Sequence, residues 1–172
     1  MRQRVLNTVA AIVVAMPAVI TAGIGPAAAD GPTGGGAGSG GATIMSFAQI
    51  YRRCDFSGKT HVGPTEYARP VAYVHRTGSE VVADVQIATA NPNTPYLVRL
   101  IQMPRSSATP CNPGDPGVSG ALLWTDPVGG GAVTVRGPIA SGATGFWLFI
   151  TRPSEFSQIP AESYTTDYVA KI

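Results

Sequence analysis

Histidine and cysteine are scarce in this chain, two of each, and that scarcity removes a good deal of chemistry. A copper–zinc dismutase type of centre needs several imidazoles around its metals, which His61 and His75 cannot supply. Either histidine would serve as a general base only beside a carboxylate, and no acidic partner stands at a telling spacing from either. Charged residues make up only 13% of the chain and form no runs, so there is no electrostatic footprint for nucleic acid and no polybasic stretch for an anionic membrane surface. No calcium-loop pattern of alternating acids is present. Asp55, Glu66, Glu80, Asp84, Asp115 and Asp126 are scattered, and nothing selects a pair for glycosidase chemistry. Gly117-Val118-Ser119-Gly120 lacks the G-x-S-x-G frame and the strand–turn–helix setting of a nucleophile elbow, and reads as a turn before a strand at Ala121–Thr125. No catalytic, cofactor-binding or metal-binding residue is assigned on these grounds.

What is present begins with a leader. Arg2 and Arg4 give a positive start, Val5 to Ile24 is mostly apolar, and Ala27-Ala28-Ala29 precedes Asp30. This three-part pattern predicts a signal peptide over residues 1–29, cleaved between Ala29 and Asp30. Asn7, Thr8, Pro17, Thr21 and Gly23 interrupt the apolar stretch, which argues against a membrane anchor. No cysteine lies near the cleavage point for a lipid anchor, and Gln3 separates the two arginines, so the leader is not a twin-arginine signal. No second long apolar run follows, so the mature protein is expected to be soluble, without an integral span. Loss of Arg2 and Arg4 from the 12 basic residues balances the 10 acidic ones, leaving a near-neutral protein. Residues 30–43 (DGPTGGGAGSGGAT) read as a flexible glycine-rich tether, because nothing there repays the entropy of ordering.

Cys54 and Cys111 remain in the exported portion, and an even count in an oxidising compartment predicts one disulfide. The two are too far apart in sequence for a C-x-x-C redox pair, and the histidines needed for a zinc site are missing. Closing so long a loop is worth about 4 kcal/mol on the chain-entropy view.

Residues 44–172 are expected to form one domain with its own core. The dominant period is two. In Glu80–Ala88, Val81, Ala83, Val85 and Ile87 alternate with Val82, Asp84, Gln86 and Ala88, the pattern of a half-buried strand. Val71–Arg76, Tyr96–Ile101, Ala121–Thr125 and Ala132–Arg136 are further strand candidates. Phe146–Ile150 is apolar on both faces and predicts a central, fully covered strand. Ser163–Ala170, rich in Tyr and Thr, predicts a last strand. Arg76-Thr77-Gly78-Ser79 reads as a hairpin turn, Asn91–Pro95 as a loop that proline keeps out of helix and central strand, residues 104–117 as a long loop clipped by Cys111, and Asp126–Gly131 as another turn. Met45–Arg53 has helical spacing at Phe47, Ile50 and Tyr51 and is left open between a short helix and an irregular strand. About seven short strands with such turns predict an all-β fold, a sandwich of two antiparallel sheets.

Three stretches resemble modules of known type. Asn93-Thr94-Pro95-Tyr96-Leu97-Val98-Arg99-Leu100 is similar to the entry into a sandwich strand. Thr125-Asp126-Pro127-Val128-Gly129-Gly130-Gly131-Ala132 is similar to a hairpin of such domains. Ala143–Phe149 together with Tyr164-Thr165-Thr166 resembles the C-terminal part of small exported actinobacterial (mycobacterial-like) proteins of uncharacterised function. The resemblance spans roughly Val71 to Ile172 and is to immunoglobulin-like and fibronectin-type-III-like domains. It implies a single immunoglobulin-like β-sandwich and an extracytoplasmic compartment, and it carries over no catalytic residue.

Trp124, Phe146, Trp147 and Phe149 are expected in the core, with Trp147 and Phe149 facing opposite to Phe146 and Leu148 and able to line an apolar groove. Tyr164 and Tyr168, on one strand face, are a candidate stacking platform for sugar or peptide. The preferred expectation is a non-enzymatic secreted or cell-envelope binding module whose loops meet an extracellular protein, glycan or lipid. The rivals are a small hydrolase built from scattered carboxylates and a histidine, and a carrier of a small apolar ligand held near Phe146–Ile150.

Overall fold

In the computed structural model, residues 41–59 and 67–172 are described. The leader, most of the tether, the cleavage residues Ala29 and Asp30, and the candidates His61 and Glu66 lie outside them. The described residues form nine strands and no helix: β1 (Thr43–Ala48), β2 (Arg69–Thr77), β3 (Glu80–Ala88), β4 (Pro95–Met103), β5 (Val118–Trp124), β6 (Gly131–Pro138), β7 (Gly145–Arg152), β8 (Glu162–Thr166) and β9 (Ala170–Lys171). All pairings are antiparallel, in the order β5-β4-β7-β8-β1-β2-β3-β6. β1 turns the corner of this sheet: its first residues pair with β2, while Phe47 and Ala48 pair with β8. The outer strands β5 and β6 then come side by side, and a Cβ built on Gly137 would stand 2.0 Å from Ser119 Oγ. The sheet is nearly closed into a barrel.

Alternation decides which side chains fill it. Val81, Ala83, Val85 and Ile87 of β3 point inward with Val98 and Leu100 of β4 and Phe146, Leu148 and Ile150 of β7, around Met45, Tyr96 and Tyr164. Burial of each large aliphatic or aromatic side chain contributes about 1.5–3 kcal/mol. β7 is buried from Gly145 to Thr151, as its two-sided apolarity predicts. The other face of β7 carries Trp147 and Phe149, which form a second apolar cluster with Ile101, Cys111 and Val118.

The turns follow their chemistry. Thr77 pairs with Glu80 across a two-residue loop in which Gly78 takes φ 60°, the twist that tight hairpins favour. In the β5–β6 turn the Asp126 carboxylate accepts the amides of Val128 (2.9 Å) and Gly130 (2.8 Å). Gly129 there has φ 81°, and a Cβ would meet Ala90 O at 2.2 Å, so only glycine fits.

Three expectations need correction. Trp124 is not core: it is 60% exposed, as is Leu122 at 52%, because the period of two sends Leu123 inward and its neighbours out. Ser163–Ala170 is not one strand. β8 ends at Thr166, and Asp167–Val169 leave the ladder before β9 rejoins the same edge of β7. At the break Thr166 Oγ1 accepts the Leu148 amide at 3.2 Å. Tyr164 and Tyr168 therefore form no platform, the first being buried and the second exposed beyond the break. The open segment Met45–Arg53 is strand as far as Ala48 and irregular beyond it.

Candidate functional site

The second cluster underlies a cleft, to whose lining it contributes Phe149 and Cys111. Two irregular segments cover it, residues 49–59 after β1 and residues 104–117 between β4 and β5, and the disulfide Cys54–Cys111 joins them with Cα atoms 5.7 Å apart. Tyr51 sets its edge against Phe149 (centroids 5.8 Å), Phe56 against Trp147 (5.4 Å), and Trp147 stacks on Phe149 (5.6 Å). Such aromatic pairs add about 0.5–1.5 kcal/mol each beyond burial.

Each covering segment is held by its own backbone bonds. Lys59 N donates to Tyr51 O (2.8 Å), Arg53 N to Ser57 O (2.9 Å) and Phe56 N to Arg53 O (2.9 Å), and Phe56 takes φ 68° at the tip. The Asp55 carboxylate accepts both the amide (3.0 Å) and the hydroxyl (2.6 Å) of Ser57, which lowers its pKa from the ordinary range. The Asp115 carboxylate likewise accepts the backbone amide of Asn112 at 2.7 Å. Both nearby carboxylates are thus engaged in their own turns.

Cations remain. Arg99 on β4 lies over the Phe149 ring at 4.3 Å and donates to Cys111 O at 3.2 Å. Its Nε is buried without a hydrogen-bond partner, and burial lowers its pKa. Arg52 donates to Phe56 O (3.0 Å) and Thr165 Oγ1 (3.3 Å) and lies 4.0 Å over the Phe56 ring. Arg53 donates to Gly58 O at 3.1 Å, and Lys59 Nζ stands 5.3 Å from the Tyr51 ring centroid. All four cations line one cleft of about 400 Å³, with Ser107 and Asn112 on its other wall and no carboxylate among its lining residues. The one salt bridge among the described residues lies elsewhere.

That bridge belongs to a buried hub at one end of the barrel. Arg152 Nε donates to Glu162 at 2.5 Å, and the hydroxyls of Tyr96 (2.9 Å) and Tyr164 (3.0 Å) and the Asn91 amide also donate to this carboxylate. Burial raises the pKa of Tyr96. The hub is satisfied on every side and reads as structural.

The sequence candidates fall into place around these features. His75 is half-buried on β2 opposite Val82, and its ring makes no hydrogen bond or ion pair with a described residue. Ser119 lies within β5, which begins at Val118, so the expected turn there is strand, and it faces Gly137. Asp84 accepts from Thr134 Oγ1 at 2.6 Å on the outer surface of the sheet. No three His, Cys, Asp or Glu side chains among the described residues are grouped to hold a metal ion, and no helix among them is long and apolar enough to cross a membrane. Sequence reasoning found the disulfide but missed Arg52, Arg53, Lys59 and Arg99. The available signal was three cations within eight positions flanking a cysteine, and an arginine alternating with apolar residues on β4. The chain matches no protein-family model, no curated protein and no solved structure.

Proposed function

We propose that this is an exported, non-enzymatic binding module of the immunoglobulin-like sandwich type, acting at the cell envelope or beyond it, and that it takes an anionic ligand in the cleft under the disulfide. The cleft carries the reading: four cations converge on it and no carboxylate among the described residues lines it. A half-buried guanidinium without a countercharge among the described residues is costly for folding alone, and its presence fits a ligand that supplies the charge. The leader and the disulfide support an oxidising compartment. Rigid strands beneath and a covalent clip above keep the site formed before binding, which lowers the ordering cost.

The test is a nitrogen-15 NMR titration with sodium phosphate against sodium chloride at equal ionic strength. Shifts should gather at residues 51–59, 99 and 107–112. Shifts absent, or spread evenly over the surface, would refute the site.

A further inference from the structure

The cations of the cleft differ in how they are held, and the difference bears on what they recognise. The Arg99 guanidinium is fixed on both sides, by the Phe149 ring at 4.3 Å and by Cys111 O at 3.2 Å. Arg52 and Arg53 each spend an N–H on a backbone carbonyl, Phe56 O and Gly58 O. These planar forks present set directions to an oxygen-rich anion. Lys59 is exposed on the rim and acts as a movable point charge.

A carboxylate has two oxygens and one charge, and a single arginine fork saturates it. Three further cations would then stay unmatched. A phosphate monoester offers three terminal oxygens and about −1.5 to −2 charge at neutral pH, enough to engage Arg99, a second arginine and Lys59 together. The cleft, at about 400 Å³, falls in the range of small-molecule sites, so it has room for more than the anion. Its remaining wall holds the Ser107 hydroxyl and the side-chain amide of Asn112, neither of which bonds to a described residue, so the body of the ligand meets hydrogen-bonding groups there.

We infer that the cleft binds a phosphate monoester carried on a small hydroxylated body, of the sugar-phosphate type. The inference rests on the cleft being the binding site and sharpens it to one ligand class.

Calorimetric titration with glucose 6-phosphate, glucose 6-sulfate, glucuronate, inorganic phosphate and glucose tests it. Glucose 6-phosphate should bind tightest, the sulfate more weakly for its smaller charge, glucuronate and inorganic phosphate more weakly still, and glucose not at all. Affinity for glucose 6-phosphate should rise several-fold from pH 5 to pH 7.5, as the second phosphate proton leaves near pH 6, while that for the sulfate stays level. The titratable and charged groups lining the cleft are Tyr51, Arg52, Arg53, Arg99 and Lys59, and the sulfate arm reports any titration of the protein itself. Arg99→Met and the surface variant Lys59→Gln should each weaken glucose 6-phosphate by about tenfold, with dispersed NMR spectra confirming the fold. Glucuronate or inorganic phosphate binding as tightly, with the same dependence on Arg99, would overturn the ligand class and leave the cleft standing as a site. Absence of binding by every anion, or binding indifferent to both substitutions, would overturn the cleft as well.

Discussion

Arg99 of β4 and Phe149 of β7 are cross-strand partners, and the guanidinium of the first lies 4.3 Å from the ring centroid of the second. The cation is held by a face of π electrons and a carbonyl, and no carboxylate among the described residues pairs with it. Replacing it with a side chain of similar length and no charge removes a cation–π contact worth about 0.5–2 kcal/mol but also removes the cost of desolvating the charge. Arg99→Met should therefore change stability by less than about 1 kcal/mol in urea unfolding while requiring about tenfold more anion for the same ligand-induced stabilisation. A loss well above that would make Arg99 a structural residue.

The disulfide clips both walls of the cleft. Cys54→Ala/Cys111→Ala should lower unfolding stability by up to about 4 kcal/mol by releasing a long loop in the unfolded chain. It should also loosen residues 49–59 and 104–117, so hydrogen exchange should quicken there and leave the β3 core amides slow under native conditions. Uniform acceleration through the barrel would show that the clip supports the whole fold instead.

How much of this was legible beforehand varies by element. β3 reads off the sequence because Glu80–Ala88 alternates without interruption and its turn residues stand at both ends. β7 reads off because apolarity on both faces has one simple meaning in an all-β chain. Trp124 misleads because aromatic character says burial, whereas its parity within β5 places it outside. The break after Thr166 was hidden because Ser163–Ala170 keeps strand-forming residue types throughout, and the bond from the Leu148 amide to the Thr166 side chain has no local sequence signal. The cleft was hidden for a deeper reason. Its cations come from residues 52–59 and from Arg99, and only the pairing of β4 with β7 and the Cys54–Cys111 link bring them together.

Glu162 gathers Arg152, Tyr96, Tyr164 and Asn91 around one buried carboxylate. Glu162→Gln keeps the shape but removes the charge, and should cost about 3 kcal/mol by chemical denaturation. A change under about 0.5 kcal/mol, the size of an ordinary surface substitution, would mean the hub contributes little.

Tyr96 in the same hub is neutral in the fold, and burial raises its pKa. A phenol with a raised folded pKa contributes stability that is complete below its unfolded value near pH 10 and is lost as the pH climbs through the folded one. The stability gap between the wild type and Tyr96→Phe should thus be constant from pH 7 to pH 9 and narrow above pH 10. Urea unfolding at stepped pH measures it, and a gap that widens with alkalinity would reverse the sign.

Strands β5 and β6 approach closely at Gly137, where a Cβ would stand 2.0 Å from Ser119 Oγ and 3.0 Å from Ser119 Cβ. Gly137→Ala should cost about 1–3 kcal/mol through overpacking, and Ser119→Gly in the same chain should recover most of it. Failure of that rescue would place the strain elsewhere.

The most direct measurement is an anomalous difference map from crystals grown with selenate, a tetrahedral oxyanion whose heavy atom reports its own position. The account predicts a peak in the cleft between the Arg99 guanidinium and Lys59 Nζ, beneath the Cys54–Cys111 bridge. A well-ordered cleft without a peak, at selenate concentrations that fill sites elsewhere on the molecule, would contradict it.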